Sequence, residues 1–438
     1  MKLEPDRRPL PRHPRLKPPD HRAVIRVHLS CGEIRTMLGQ GDLALVAYRR
    51  GGSIARVFGD DSSMADCLFG ISRVHFHLDQ YDQLIDTSNR SLELYRAIDD
   101  KKGIAECYNN LCYAYYALGD LTTATAHYQA AIQLHTEIGN KAGLAESYNN
   151  AGMVQARRGE YTRALEYLQS CHDIFRELDD RREVGLTLNN LGLLHSLIGD
   201  YATAIDHLQR AAALQAEIGD EVSLALSIYN MGAIRYKQDR HAEALEFMQR
   251  ALQLYRKSGN GTSEVWALTF IGAAHSGEGR RDLALQELMD AQRAAAATKD
   301  DDILCRIELL LGDLKVTGPE PCSAAGHIDK LLELSERYRV RGTRAAALEL
   351  RARLSTILGD VRAAESDFIN AVSVLYECQM LYEWALASFH YAQFLIGQQR
   401  SDSARPHLAA ARGYFEQIGN DRYVQRIADM EKQLPDNE

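Results

Sequence analysis

Apolar residues recur along this chain at the spacing of one helix face, in paired stretches divided by a turn. Between residues 141 and 180, Leu144, Tyr148, Ala151 and Val154 stand three or four positions apart. Ala164, Leu165, Leu168, Cys171 and Ile174 repeat the pattern further on. Each set predicts an amphipathic helix. Gly159-Glu160 divides the two, glycine being the residue that takes the left-handed turn at a helix C-terminus without steric cost. Asp179-Asp180 closes the unit before the next begins.

The same phrase returns every 40 residues. A turn signal stands at Gly119-Asp120, Gly159-Glu160, Gly199-Asp200, Gly279-Arg280 and Gly359-Asp360, and a mid-helix glycine at Gly32, Gly152, Gly192, Gly232, Gly272 and Gly312. Alanine holds one register from Ala44 through Ala124, Ala164, Ala204, Ala244, Ala284, Ala324 and Ala364 to Ala404. Glycine inside a helix costs about 0.5–1 kcal/mol relative to alanine, so its recurrence implies close approach between paired helices. Internal periodicity of this kind decides an architecture before any local feature does. It predicts an all-α solenoid of about ten antiparallel helix pairs over residues 21–420, with a C-terminal capping helix and acidic tail over 421–438. In the eighth unit Gly318-Pro319-Glu320-Pro321 replaces the usual turn, which either shifts the start of the second helix or bends the array.

Composition narrows the function classes. Of the ten prolines, six lie within the first nineteen residues, so the body is almost free of helix breakers, and the Pro/Arg-rich segment 1–20 is expected to be disordered. The net charge is −9, a poor match for nucleic acid, whose binding needs clustered cations. The eight cysteines form no CxxC pair and read as small buried thiols in a reducing compartment. With no transmembrane-length apolar run and no apolar core to a leader, the expected location is the cytoplasm, with no membrane partner.

Tyr148, Ala151 and Gly152 in the first helix and Ala164, Leu168 and Cys171 in the second make the unit resemble the tetratricopeptide repeat. The segments YNNLCYAYYALGDLTTATAHY and IYNMGAIRYKQDRHAEALEF are similar to that repeat's consensus. The common repeat has 34 residues; the longer form here resembles the repeats of kinesin light chains, Pins-type spindle adaptors and many bacterial signalling proteins. The resemblance implies a right-handed superhelix whose concave side is lined by the first helix of each pair.

On that helix, asparagines stand at Asn109-Asn110, Asn149-Asn150, Asn189-Asn190 and Asn230. A carboxamide both donates and accepts, and so can pair with a peptide unit of an extended ligand. Tyr113, Met153, Arg157 and Lys237 lie one or two turns further along the same helices and complete the candidate peptide-binding set. Asparagine ahead of Leu, Ala or Met and Gly also belongs to the repeat consensus, so a structural role stands beside the ligand role; the doubling at Asn109, Asn149 and Asn189 leans toward a surface one. In units seven to ten the two positions become Thr269-Phe270, Leu309-Leu310, Glu349-Leu350 and Phe389-His390, and Trp266 with Phe270 marks a second candidate surface rich in the aromatic residues that interfaces favour.

Histidines recur at His75, His195 and His275, and at His127, His207, His327 and His407, a whole helix pair apart, and are expected as helix-surface residues. Acidic pairs such as Asp99-Asp100, Asp179-Asp180 and Asp300-Asp301 are expected to cap helices. No phosphate-binding loop, nucleophile elbow, HExxH or catalytic cysteine motif is present, so neither an enzyme nor a cofactor or metal is expected. Two functions follow. One is a scaffold or adaptor gripping a peptide or protein segment in its concave groove. The other, implied by the likeness to bacterial signalling repeats, is a regulatory or sensory module acting through a separate effector or a homodimer.

Overall fold

A computed structural model of the protein describes residues 20–298, 300–338 and 340–434. The Pro/Arg-rich segment, except for Asp20, and the residues after Leu434 lie outside them. The described residues form twenty-one α-helices, from α1 (His21–Met37) to α21 (Asp421–Glu431), and no strand. Successive helices pair as ten hairpins, α1 with α2 (Gly41–Phe58) through α19 (Leu381–Gly397) with α20 (Ser401–Ile418), and α21 caps the last. This is a tetratricopeptide-like α-solenoid.

The rhythm is set by the backbone at intervals of twenty residues. Gly119, Gly139, Gly159, Gly199 and Gly219 all have φ between 67° and 89°, ending each helix in the left-handed region. Where glycine is missing, Asp79, Asp99, Asp179, Asp239, Gln379 and Gln399 take the same conformation at φ 53–62°. The next residue caps the helix that follows: Asp100 accepts from the amides of Lys102 and Gly103, Asp180 from Glu183 and Asp300 from Ile303. The pairs Asp99-Asp100 and Asp179-Asp180 thus divide their labour, one residue turning and the other capping, whereas Asp300 caps α15 and Asp301 begins it.

The mid-helix glycines make the close approaches their recurrence implied. A Cβ added at Gly152 would stand 2.7 Å from Leu168 Cγ, and at Gly192 or Gly272 it would meet Leu208 or Leu288 at the same distance. Ala164, Ala204 and Ala284 are fully buried. In the eighth hairpin Pro319 stands where the left-handed residue would be, and Pro321–Ala324 form a 3-10 turn before a shortened α16 (Ala325–Arg337). The prolines therefore shift the start of the second helix.

The chain divides into two compact units, one ending at Ile174 and one beginning at Phe175, where the repeat pattern had suggested one uninterrupted array. In unit 1 the hydrogen bonds between hairpins join sequence neighbours, as between Arg157 and the carbonyl of Tyr116, 41 residues apart (2.5 Å). Unit 2 closes on itself. Gln417 donates to the carbonyl of Ile198 (2.7 Å), Gln238 to that of Ile418 (2.9 Å) and Asn420 to that of Lys237 (2.9 Å). One apolar cluster within unit 2 accordingly runs from Tyr201 to Leu434 and includes the buried rings of Phe368, Phe389 and Phe415.

Candidate ligand-binding interior

The asparagines expected to form one ladder are split between the units. Within unit 1, Asn109 on α5 (Lys101–Ala117) accepts from Ser147 Oγ at 2.9 Å, and its carbonyl accepts from Asn150 Nδ2 at 3.4 Å, both donors on α7 (Lys141–Arg157). Within unit 2, Asn189 on α9 (Arg181–Ile198) accepts from Ser227 Oγ (3.2 Å) and Asn230 Nδ2 (3.0 Å), both on α11 (Glu221–Lys237). Asn109, Asn189 and Asn230 are 6, 2 and 7% exposed. The surface role toward which the doubling leaned is therefore corrected for Asn109 and Asn189: they lock one hairpin to the next. Burying an amide is costly unless it is bonded; a serine 38 positions on supplies a donor to each oxygen, while Asn109 Nδ2 finds no partner among the described residues.

Asn110, Asn149, Asn150 and Asn190 remain half-buried. Asn110 donates to Ser72 Oγ (3.0 Å), and Asn149 Nδ2 lies 3.7 Å from Met153 Sδ. Beside them in unit 1 the Tyr113 ring stands 4.3 Å from that of Phe76, 6.3 Å from Tyr81 and 6.4 Å from Tyr116. The Arg157 guanidinium covers Tyr116 at 5.1 Å. Burial raises the Tyr113 hydroxyl above its usual pKa, as expected of a half-dry aromatic patch.

Unit 2 places the remaining candidates in its interior. Lys237, half-buried, lies 5.9 Å from the Tyr382 ring, and burial lowers its pKa against the opposing pull of Glu383. Phe270 packs edge-on to Tyr229 (5.6 Å) and Tyr236 (5.7 Å), and Trp266 donates to Asp300 (3.3 Å). This pair, expected as a second surface, is half-buried packing. His75 and His275, expected on the surface, are 7 and 6% exposed. His75 Nδ1 bonds Gln80 at the following turn (2.7 Å).

A cavity of about 350 Å³ occupies this interior. Its walls come mainly from first helices: α11, α13 (Gly261–Gly277), α15 (Asp301–Val316), α17 (Arg341–Leu358) and α19, with α21 at one side. The lining positions are one register. Ala273, Asp313 and Arg353 are equivalent to Met153; Leu310, Leu350 and His390 to Asn150; Leu309 and Glu349 to Asn149; Gly277 and Thr317 to Arg157.

Charges of both signs meet there. Arg306 places two guanidinium nitrogens 3.3 Å from Glu383 Oε1. Arg353 donates to Asp313 (2.6 Å) and lies 3.7 Å from Glu349, which also bonds His390 (2.6 Å). Burial pushes the Glu349 carboxyl up, but Arg353 and His390 outweigh it and hold the pKa below the ordinary value. Arg422 pairs with Asp239 at 3.1 Å. Burial raises the hydroxyl pKa of Tyr236, Tyr382 and Tyr423. Such a pocket orients a polar ligand through charge-assisted bonds against aromatic walls. The sequence reading missed Arg306, Arg353, Glu383, Tyr382, Tyr423 and Arg426. For Arg353 the available signal was a charge, shared with Asp313, at the position where earlier repeats carry Met153, Leu193, Ala233 and Ala273.

The sequence profile of the tetratricopeptide repeat matches residues 63–137, 103–177, 143–217 and 223–297, together more than half of the chain. The chain belongs to the tetratricopeptide repeat family. No curated protein matches it. Among solved structures, this tetratricopeptide repeat protein is similar to a Rap protein complexed with Competence and Sporulation Factor, at TM-score 0.61 and 15% identity over 82% of this chain and 99% of that one. The Rap conjugation gene regulator of plasmid pLS20, in complex with the Phr* peptide, gives TM-score 0.57 and 11% identity over 80% and 94%. The apo quorum sensor NprR from B. thuringiensis gives 0.58 and 12% over 78% and 99%. At these identities the likeness is one of fold. Among the described residues no group of three or more His, Cys, Asp or Glu is placed to hold a metal ion, and no helix is long and apolar enough to cross a membrane.

Proposed function

We propose that this protein is a ligand-responsive regulator of a signalling system, taking a short peptide against the first helices of unit 2. The regulatory reading thereby gains over the free-standing adaptor. The observation that carries it is the cavity: a partly open volume of about 350 Å³ with paired charges and three tyrosines, at the small end for ligand sites. A volume of that size suits a short ligand better than a long segment of a partner protein. Unit 2 is also held shut by a few hydrogen bonds between distant repeats. A ligand that prefers the closed arrangement would shift its population, which is what a sensor requires. The three fold relatives add support, since two were crystallised with a factor or peptide and the third is a quorum sensor.

The test uses the full chain and the peptide-sized fraction of a source-cell extract or spent culture medium. The expected outcome is a rise in melting temperature for wild type that is lost in Thr317→Trp, whose indole obstructs the rim from an exposed position. The reading fails if no fraction shifts the wild type, or if Thr317→Trp responds equally. Light scattering on the same samples separates the modes of action: self-association raises the mass on adding the fraction, and action through a separate effector leaves it unchanged.

A further inference from the structure

The first hairpin, α1 with α2, follows no other among the described residues, yet α1 keeps the apolar side that a preceding hairpin would cover. On it, Val27 and Ile34 are 67 and 53% exposed. Their equivalents at 40-residue steps run from Cys67 to Ala387 and from Val74 to Phe394. The first series is at most 2% exposed and the second at most 7%. Those later residues are covered by the hairpin before them. A Cβ added at Gly51 of α2 would stand 3.0 Å from Cys67 Sγ, and one at Gly41 would stand 3.5 Å from Val74 Cγ1. Helix α1 therefore turns outward the side that every later first helix buries.

That side is apolar along most of its length. Ala23, Val27, Ser30, Cys31, Ile34 and Leu38 line one shallow trough. A terminal repeat needs a polar outer face to stay in solution, and the other terminal element has one: the exposed residues of α21 are all Asp, Arg or Gln. An exposed apolar stripe marks a contact surface.

The stripe reads nearly alike in both directions. Val27 and Ile34 stand symmetrically about Ser30 and Cys31, with Ala23 and Leu38 beyond them. Arg26 and Glu33, two helical turns apart, share one flank of the stripe, and both are exposed. Arg35, on the other flank, is taken by the carbonyl of Leu43 in its own hairpin (3.1 Å).

We propose that this side of α1 is the contact of a homodimer, in which two α1 helices pack antiparallel about a two-fold axis beside Ser30 and Cys31. Val27 of one chain then meets Ile34 of the second copy, Ala23 meets Leu38, and Arg26 reaches Glu33. Two-fold symmetry makes each contact twice. Small side chains at the axis let the helices approach to about 8–10 Å. Charge selects this occupant over the chain's own first nineteen residues, which carry six Lys/Arg against two Asp/Glu and would meet Arg26 and Arg35. The proposal stands without the ligand-responsive reading, and its test contains no ligand.

Sedimentation of the full chain between about 1 and 200 μM is that test, because a contact between single helices belongs with small, weak interfaces. The mass is expected to rise toward two chains. Val27→Glu should hold the protein monomeric over the same range, with an unchanged melting temperature because the position is exposed. Arg26→Glu and Glu33→Arg each set like charges opposite one another, and each should weaken association by about tenfold. Mixed in equal amounts, these two variants restore both ion pairs and should associate as tightly as wild type. A chain that stays monomeric at about 200 μM overturns the proposal, whether the stripe is bare or taken by another segment. So does a dimer indifferent to Val27→Glu, or a mixture that associates no better than Arg26→Glu or Glu33→Arg alone.

Discussion

The two units use one repeat and treat its inner register differently. In unit 1 the positions on α5 and α7 carry amides and a thioether, Asn110, Asn149, Asn150 and Met153, all half-buried, with Asn110 and Asn150 bonded to the adjacent repeat and Asn149 to Met153 on its own helix. In unit 2 the same register carries Asp313, Glu349, Arg353 and His390, and the last hairpin returns to α9 and α11 across 180 or more positions. Closure turns a helix face into an interior. An interior tolerates ionised groups only when each meets an opposite charge or a full set of hydrogen bonds. The later repeats therefore carry charges of both signs in one register.

This contrast can be broken most forcefully at its ionic centre. Arg353→Leu takes the guanidinium away from Glu349, which keeps only His390, and from the half-exposed Asp313, and should cost about 2–3 kcal/mol in urea unfolding. A matching substitution at Met153, Met153→Leu, should cost less than about 1.5 kcal/mol. The pH dependence gives the sign independently. Because the Glu349 pKa is held below 4.5, its contribution is fully present above that value and is lost as pH falls through the lowered one. In Arg353→Leu the acid loss moves to higher pH.

Closure itself is the next target. Asn420 is fully buried, accepts from the amide of Tyr423 as the cap of α21 and donates to the carbonyl of Lys237. Asn420→Ala should cost about 2 kcal/mol, combining a lost cap and a lost hydrogen bond. Hydrogen exchange should then quicken at the start of α21 and not in α5 or α7.

The asparagine lock tests where the units agree. Ser147→Ala in unit 1 and Ser227→Ala in unit 2 each remove a donor to a buried asparagine, and each should cost about 1 kcal/mol. Equal losses would show that the lock is indifferent to its surroundings, whereas a larger loss at Ser227 would reflect its further bond to Gln215 at 2.8 Å.

The smallest effects are gains. Lys237 has a pKa lowered by burial, so stability rises with pH from that lowered value toward the ordinary 10.5. Lys237→Met should remove this rise and stabilise the ligand-free protein at neutral pH by up to about 1 kcal/mol. Gln379→Gly and Gln399→Gly relieve left-handed backbone at φ 58° and 59° and should each add about 1 kcal/mol, read as a higher melting temperature.

The glycines at the turns between helices, the capping acids and the 40-residue register were legible because they answer to local rules: a left-handed φ, a bare amide at a helix start, a close contact between paired helices. The inner register was legible too, since Asn149, Asn150, Met153 and Arg157 mark the positions that become Glu349, Leu350, Arg353 and Thr317. The fate of individual members was not. Asn109 and Asn110 are adjacent in the chain, yet only Asn109 is sealed between hairpins, and that depends on Ser147 in the next repeat.

Sequence alone determined that this chain forms stacked helix hairpins, because twenty-residue punctuation and a helical apolar stripe are properties of neighbours along the chain. The tertiary structure alone decided that unit 2 shuts, that Phe270 packs against Tyr229 and Tyr236, and that Arg306, Arg353 and Glu383 meet around one cavity. Those outcomes depend on small angles between successive hairpins, summed over six repeats, which bring Ile418 to Gln238 and Asn420 to Lys237. No single repeat specifies that sum.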